Sequence, residues 1–469
     1  MDYKEKLDQY MEAHKDEMVE DIFRLVRIQS DKGPAKEGMP YGEGPAACLK
    51  EALKMGTAYG FVPKNYDNYV GALDMGPEKE PMLDILAHLD VVPAGDDWTV
   101  TKPFEPVFRN GKIYGRGTSD DKGPAIAALY AMRAVKELGI PLSKRCRLLL
   151  GTDEECGSSD IDYYYTIEKE APVTFSPDAD FPLINVEKGG IHEEFTSQFE
   201  EEKQLPRVLS VQSGFKFNVI PDTAAAVIEG MAAEEAADII KEAEMKTGVT
   251  FSAGMKDGNL VIEAKGLAAH ASMPEKGNNS LTALLEAVAK LPVAPSEGYR
   301  KLCGLSGLYP HGDWFGKSAG IAMSDAESGP LTISFNMLSY TPWGLTGCAD
   351  CRAPICANDE NVMQVLLKRY AALGITMEKN TLMEAHYVPA DQPFIRTMLD
   401  CYEKYSGKKG ACISIGGFTY VHALKRGVAF GCGALSSDDH AHGADEHKDL
   451  DVLVMSAKIF AETIIQLCS

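Results

Sequence analysis

Histidine and carboxylate side chains recur in short groups at widely separated points of this sequence. The groups are His88-x-Asp90, Asp120-Asp121, Glu154-Glu155, Asp178, and His442 with Asp445-Glu446. Nitrogen and oxygen ligands without a thiolate suit zinc, and manganese or cobalt bind similar sets. Each group alone is weak evidence, because isolated histidines are usually structural and acidic pairs usually face solvent. A metal site requires that the groups converge.

Two of these groups have spacings that favour a metal site. A separation of two on a strand puts His88 and Asp90 on one face, so Asp90 can hold one imidazole nitrogen while the other faces a metal. Glu154 and Glu155 are adjacent after a buried strand, so their side chains point to opposite sides. One of them can bind a metal while the other transfers protons. Buried carboxylates without compensation are costly, and a divalent cation removes that cost.

The elements that must position these groups alternate between strands and helices. Buried-strand runs end near Asp90 and at Gly151, and between them lies a helix that Pro124 opens and Gly139 ends. This order predicts an α/β fold with a mainly parallel sheet, in which sites collect at the carboxyl ends of strands.

The pattern of the chain changes in its middle third. From about residue 189 strands alternate with interspersed helices, and the α/β pattern returns after residue 386. This predicts an α/β domain of residues 1–188 and 387–469, interrupted by an inserted α+β domain of residues 189–386. Within the insert, the stretch from Asp222 to Gly248 weakly echoes the stretch from Asp350 to Gly374, which suggests two similar halves.

A series of segments resembles those of a known enzyme family in the family's own order. They are A-H-L-D-V-V-P-A-G at 87–95, Y-G-R-G-T-S-D-D-K-G-P at 114–124, G-T-D-E-E at 151–155, F-S-P-D-A-D-F-P at 175–182, F-N-V-I-P-D at 217–222, G-L-A-A-H-A-S-M-P-E-K-G at 266–277, D-C-R-A-P at 350–354 and H-G-A-D-E at 442–446. The chain resembles the dinuclear zinc metallopeptidases of family M20, the aminoacylase and carboxypeptidase-G type. Within them it is most similar to PepV-like bacterial dipeptidases, the branch that includes Xaa-His dipeptidases (carnosinases).

The resemblance implies a ligand set for two zinc ions, with manganese or cobalt as substitutes. His88 and Asp178 would hold one ion, Glu155 and His442 the other, and Asp120 would bridge both. It also implies a cis peptide bond after Asp120. The α/β domain would then be the catalytic domain and the insert a lid.

The resemblance further implies the catalytic roles of two carboxylates. Glu154 would be the general base, and Asp90 would orient His88. Two zinc ions sharing a water bring its pKa toward ~7, which makes hydroxide available at neutral pH. A base that takes the proton of this water and passes it to the leaving amine contributes ~10²–10⁴-fold.

Residues of the insert and of the following segment match the family's substrate contacts. His270 would cover the oxyanion of the tetrahedral intermediate. Asn218 and Arg352 would grip the substrate's terminal carboxylate, since the guanidinium fork suits bidentate contact. Gly416 and Gly417 match a glycine-rich loop that contacts substrate.

Three positions depart from the family pattern. Phe418 stands where a third glycine is common, His422 where an arginine is common, and Asp97 where a glycine is common beside Trp98. Phe418 would reshape the pocket, so the side-chain preference stays open.

These features favour a hydrolase of dipeptides with a free C-terminal carboxylate. N-acyl-amino-acid deacylase or carboxypeptidase activity on the same site remains an alternative, as does a non-catalytic binding module. A net charge of −22 argues against nucleic-acid and membrane partners. The first residues carry no targeting pattern, which favours a cytoplasmic protein. The resemblance implies that a long insert with two similar halves makes the site self-contained, which favours a monomer.

Overall fold

The computed structural model of this chain describes residues 2–201, 203–378, 381–434 and 438–469. The chain forms two units. The first unit runs to Val186 and resumes over Tyr387–Ile413 and Phe418–Ser469, and the second unit comprises Glu187–His386 with Ser414–Gly417.

The described helices are α1 (Lys4–Val26), α2 (Glu43–Ala58), α3 (Lys122–Glu137), α4 (Ser159–Ile167), α5 (Ala233–Thr247), α6 (Ser280–Val288), α7 (Glu297–Leu308), α8 (Gln364–Ala372), α9 (Pro393–Ser406) and α10 (Leu450–Cys468). The described strands are β1 (Val62–Tyr66), β2 (Val70–Met75), β3 (Pro81–His88), β4 (Val107–Arg109), β5 (Lys112–Tyr114), β6 (Arg145–Gly151), β7 (Val173–Ser176), β8 (Asp180–Phe181), β9 (Leu183–Glu187), β10 (Gly189–Gln198), β11 (Arg207–Ser213), β12 (Thr223–Glu229), β13 (Thr250–Lys256), β14 (Asn259–Lys265), β15 (Ser324–Asp325), β16 (Gly329–Pro330), β17 (Thr332–Thr341), β18 (Gly344–Ala353), β19 (Thr376–Met377), β20 (His386–Tyr387), β21 (Cys412–Ile415), β22 (Gly427–Ala429), β23 (Gly433–Ala434) and β24 (His447–Asp449). None of the helices in the described part of the chain has the length and apolar character that crossing a membrane requires.

The first unit is built on a mixed sheet with a parallel centre. Its strand order is β1-β2-β6-β3-β7-β22-β9. The pairs β6·β3, β3·β7 and β7·β22 are parallel, whereas the pairs toward both edges are antiparallel. The sequence predicted the parallel centre, and the antiparallel outer strands are an addition. Helix α3 is buried along most of its length in the hydrophobic core of this unit, as the apolar spacing of its sequence predicted.

The second unit is an α+β unit around an antiparallel sheet. Its strand order is β13-β14-β12-β11-β17-β18-β10-β19, and its apolar face packs with α6, α7 and parts of α5 and α8 in a separate core. The stretches that echo each other in sequence each lead to an edge strand, at opposite edges of this sheet. Helix α5 is followed by Gly248 and edge strand β13, and α8 is followed by Gly374 and edge strand β19. Both glycines adopt a left-handed conformation, with φ of +69° and +67°.

Residues Ser414–Gly417 group with the second unit, although the sequence placed them in the α/β domain. Two hydrogen bonds explain the difference. The amide of Lys188 donates to the carbonyl of Ile415 (2.9 Å), and Arg352 Nη1 donates to the carbonyl of Gly416 (2.8 Å).

Candidate metal centre

The parallel strands of the first unit bring the predicted ligands to one edge of the sheet. His88 is the last residue of β3, and Glu154 and Glu155 open a 3-10 turn shortly after β6. Asp178 follows β7. Because β6, β3 and β7 are parallel neighbours, their carboxyl ends lie side by side. The Asp120–Asp121 peptide bond just before α3 is cis, as the resemblance implied.

The two carboxylate oxygens of Asp120 face different histidines. Oδ1 lies 2.9 Å from His88 Nε2, and Oδ2 lies 2.8 Å from His442 Nε2. On the outer sides, His88 Nε2 is 3.5 Å from Asp178 Oδ2, and His442 Nε2 is 3.2 Å from Glu155 Oε1. The five predicted ligands therefore form one chain of neighbours with Asp120 at its middle.

The ligand atoms of the cluster lie close together but do not satisfy one another by hydrogen bonding. His88, Asp120 and Glu155 present ligand atoms within 4.8 Å of one another, and so do His88, Glu154 and Asp178. Within the described part of the chain, His88 Nε2, Asp120 Oδ1 and Glu155 Oε1 are buried yet make no hydrogen bond of good geometry. Buried polar atoms are normally satisfied, so these atoms indicate a site for cations that take nitrogen and oxygen ligands.

The electrostatics of the cluster show the same need for positive charge. The neighbouring carboxylates of Asp120 and Glu155 raise the pKa of His442 to about 11. Burial raises the pKa of Glu155 to about 7, and the charge of Asp120 adds to the rise. Burial likewise raises the pKa of Glu154 well above its ordinary value. Burial thus disfavours the charged forms of Glu154 and Glu155, and a bound cation would supply the opposing positive charge.

The sequence predicts that Asp90 orients His88, and both the main chain and the carboxylate of Asp90 lie beside the ring. Nδ1 of His88 lies 3.0 Å from the main-chain carbonyl oxygen of Asp90 and 3.5 Å from its carboxylate. The two carboxylate oxygens accept hydrogen bonds from the amides of Glu154 (3.2 Å) and Glu155 (3.1 Å). Asp90 thus holds the segment that carries both glutamates.

Asp160 is another buried carboxylate that holds the segment carrying Glu154 and Glu155, and the sequence analysis did not single it out. Asp160 accepts hydrogen bonds from the amides of Thr152 (2.6 Å) and Asp153 (3.0 Å) and from the hydroxyl of Tyr420 (2.5 Å). Burial raises the pKa of Asp160 to about 7. Residue type gave no signal here, because two of these contacts are made to main-chain amides and the third to a tyrosine far along the chain.

In the second unit, His270 and Asn218 lie on paired segments. The amide of Ala271 donates to the carbonyl of Asn218 (2.9 Å), and Val219 forms a β-bridge with His270. The amide of Ser272 donates to Nδ1 of His270 (3.2 Å). A neutral His270 ring therefore carries its hydrogen on Nε2, where it can be donated.

The guanidinium of Arg352 already has partners within the second unit. Nε and Nη2 donate to the two carboxylate oxygens of Asp350, each at 2.8 Å, and Nη1 donates to the carbonyl of Gly416. The bidentate edge expected to grip a substrate is thus paired with Asp350.

Gly416 also packs closely on Ser272, since a Cβ added to it would lie 2.7 Å from the Ser272 Cβ. Gly417 has more room, and its added Cβ would meet Ile415 at 3.7 Å.

The departures from the family pattern have clear local structures in the first unit. The rings of Phe418 and His422 meet edge to face with centroids 4.8 Å apart, so these two departures form one contact. Asp97 adopts a φ of +68°, a conformation in which glycine carries no strain.

Comparison with known proteins identifies the family of the chain. The model of Peptidase family M20/M25/M40 matches residues 85–466. The chain is 36% identical over 459 residues to the putative dipeptidase YtjP of Bacillus subtilis (strain 168), covering 97% of each chain. It is 34% identical over 463 residues to the Beta-Ala-Xaa dipeptidase of Lactobacillus delbrueckii subsp. lactis, again covering 97% of each.

Among solved structures, human carnosine dipeptidase 1 shares the fold. The TM-score is 0.61 at 14% identity, and the match covers 100% of this chain and 99% of the other. The family model covers most of the sequence, and the two relatives match over nearly their whole length. The chain therefore belongs to Peptidase family M20/M25/M40.

Proposed function

We propose that this protein is a dipeptidase that depends on two zinc ions held by the first unit. The observation that carries the proposal is the placement of Asp120, whose two carboxylate oxygens face His88 and His442 separately. A carboxylate with a histidine on each side is suited to bridge two cations. The names of the two relatives, a putative dipeptidase and a Beta-Ala-Xaa dipeptidase, indicate the substrate class.

The ligand assignment follows the chain of neighbours. His88 and Asp178 hold one ion, Glu155 and His442 hold the other, and Asp120 lies between them. Such ions, when bound, polarise the scissile carbonyl and acidify a water. Manganese or cobalt are substitutes that the same ligands accept.

Glu154 moves the proton. Its carboxylate presents an oxygen within 4.8 Å of ligand atoms of His88 and Asp178, while its neighbour Glu155 belongs to the other ligand group. Glu154 is therefore beside the metal site without being required as a ligand. It takes a proton from the attacking water and delivers it to the leaving amine, and Asp90 fixes its main chain.

The second unit supplies substrate recognition in this proposal. His270 donates from Nε2 to the developing oxyanion, because Ser272 occupies its Nδ1. Asn218 recognises the substrate's carboxylate. Arg352, whose bidentate edge is paired with Asp350, adds its positive charge and holds Gly416, which with Gly417 lines the substrate's path. The first unit acts as the catalytic domain and the second as a lid with two similar halves.

The test compares substrate classes on the zinc-loaded full chain. We expect turnover of α- and β-alanyl dipeptides, with less turnover of N-acetylated amino acids or longer peptides, and loss of turnover with a chelator. Glu154→Gln should lower kcat at least ~10²-fold and retain two zinc ions per chain. Glu105→Gln, a change of an exposed carboxylate in the first unit, is the matched control. A preference for N-acetylated amino acids would favour the deacylase alternative, and turnover that survives chelation would overturn the proposal.

We also propose that the monomer is catalytically complete. Light scattering of the active enzyme should give the mass of one chain. Mixing His270→Ala with Glu154→Gln chains should then restore no activity. Restored activity would show that a partner supplies His270.

A further inference from the structure

Glu446 is a buried carboxylate that binds the main chain of the segment carrying Asp120. Its side chain is fully buried. Its oxygens accept hydrogen bonds from the amides of Gly117 (3.0 Å to each oxygen), Ser119 (2.8 Å) and Asp120 (3.2 Å). The main-chain carbonyl of Glu446 accepts a further bond from Gly115 (2.9 Å). This concentration of amide donors fixes the path of the chain into Asp120.

Arg116 is the ion-pair partner of Glu446. Its Nη1 pairs with Glu446 Oε2 at 2.6 Å, and both side chains are almost completely buried. Its Nη2 donates to the carbonyls of Gly443 (3.1 Å) and Ala94 (3.3 Å). The guanidinium also lies 5.5 Å from the centroid of the Trp98 ring.

The Arg116–Glu446 pair therefore joins three segments that each lead to the metal centre. One segment follows His88 and contains Ala94, one ends at Asp120, and one begins at His442. Neither side chain of the pair belongs to the ligand groups. Because Arg116 neutralises Glu446, the pair adds no net charge that would attract a cation, and its contribution is geometric.

We propose that Glu446, held by Arg116, is a positioning residue that sets Asp120 and His442 at the separation needed for two metal ions. The inference rests on the metal site of the proposed function. Partners that orient metal ligands without touching the metal typically contribute ~10–100-fold to metal affinity. The hydrogen bonds that three main-chain amides donate to the Glu446 carboxylate fix the main chain at Asp120. Glu446 also lies four positions after His442 in the sequence.

The experiment measures zinc affinity by competition with a chelator, together with zinc stoichiometry and the Tm of the metal-free full chain. The variant is Glu446→Gln, which keeps the shape of the side chain but places an amide donor among amide donors. The matched control is Asp84→Asn, because Asp84 is also fully buried in the first unit and is paired with a buried arginine, Arg147, at 2.7 Å through both oxygens.

We expect Glu446→Gln to bind zinc ~10–100-fold more weakly. Asp84→Asn should lower the Tm to a similar extent and keep the zinc affinity of the wild type. Arg116→Lys keeps the charge but loses the fork, so it should weaken zinc binding in the same direction by a smaller factor. If Glu446→Gln does not fold, the zinc affinity of Arg116→Lys tests the inference in its place.

Wild-type zinc affinity in folded Glu446→Gln or in Arg116→Lys would overturn the inference alone and leave the proposed function standing. Equal loss of zinc affinity in Asp84→Asn would also overturn it, since the effect would then be one of general stability. A wild-type chain that binds no zinc would overturn both proposals.

Discussion

The Nδ1 atom of His88 lies closer to the main-chain carbonyl of Asp90, at 3.0 Å, than to the carboxylate of the same residue, at 3.5 Å. A carbonyl acceptor requires a hydrogen on Nδ1 and leaves Nε2 as the lone-pair donor toward the metal site. The main-chain carbonyl is therefore the nearer group that sets the ring for metal binding. The carboxylate is engaged with the amides of Glu154 and Glu155.

Replacing Asp90 by asparagine should separate these two roles. One amide of the Glu154–Glu155 segment loses its acceptor, because the new side chain presents an NH₂ group to it. We expect kcat to fall about 10- to 100-fold through misplacement of Glu154, while two zinc ions remain bound. Zinc stoichiometry and steady-state kinetics at saturating zinc provide the check. Loss of zinc with full kcat restored by excess metal would show instead that the carboxylate orients His88.

Gly416 and Gly417 offer a matched pair of substitutions. An alanine at 416 would collide with Ser272, which holds His270 Nδ1, whereas an alanine at 417 meets nothing closer than 3.7 Å. We expect Gly416→Ala to lower kcat/KM about 10- to 100-fold. Gly417→Ala should stay within about threefold of wild type. Equal effects of the two changes would argue against a role of the Gly416–Ser272 contact in placing His270.

A buried carboxyl in the second unit should make stability depend on pH. Burial raises the pKa of Glu193 to about 7, although the hydroxyls of Tyr309 (2.5 Å) and Tyr370 (3.2 Å) donate to it, and nearby Asp350 adds to the rise. The folded-state pKa lies above the unfolded value near 4.3. This group therefore favours folding at low pH, and its contribution is lost as pH rises from about 4.3 to about 7.

The variant Glu193→Gln removes this titration. Relative to wild type, we expect its free energy of unfolding to improve by on the order of 3 kcal/mol between pH 5 and pH 8. Urea unfolding of the chelated protein, followed by tryptophan fluorescence, gives the values; Trp314 and Trp343 report on the second unit and Trp98 on the first. Glu194→Gln is the control, since Glu194 is exposed on the same strand. Parallel pH profiles for wild type and Glu193→Gln would contradict the assignment.

The contact between Phe418 and His422 should influence side-chain preference. Removing the ring with Phe418→Gly widens the space beside it, so kcat/KM for bulky dipeptides relative to Ala-Ala should rise about 10-fold. Because the two rings touch at 4.8 Å between centroids, the effects of Phe418→Gly and His422→Ala should not add. An unchanged ratio of dipeptides in Phe418→Gly would assign this ring a purely structural role.

The sequence predicted the features that depend on residue type and on strand order. The carboxyl ends of β3, β6 and β7 bring His88, Glu155 and Asp178 to one sheet edge because buried parallel strands have a recognisable pattern. The antiparallel strands β1 and β2 were not foreseen, because short outer strands carry little pattern of their own.

Most of the contacts that escaped prediction are those between side chains and main-chain groups. The Glu446 and Asp160 carboxylates bind amides of distant loops, and amides look alike in any sequence. The pairing of Arg352 with Asp350 two residues away also escaped, although a spacing of two on a strand puts both side chains on one face. Loop conformation, rather than residue type, decides most such contacts.

In the first unit, the segment just before the insertion is hydrogen-bonded to the segment just after it. Asn185, just before the departure, accepts a hydrogen bond from the amide of Val388 (2.9 Å) and donates its own side-chain amide to the carbonyl of Val388 (2.8 Å). An insertion whose two ends adjoin can change in sequence with little effect on the host sheet. On the proposed function, substrate selectivity can therefore diverge through Glu187–His386 and the short segment Ser414–Gly417 while the metal ligands of the first unit stay unchanged.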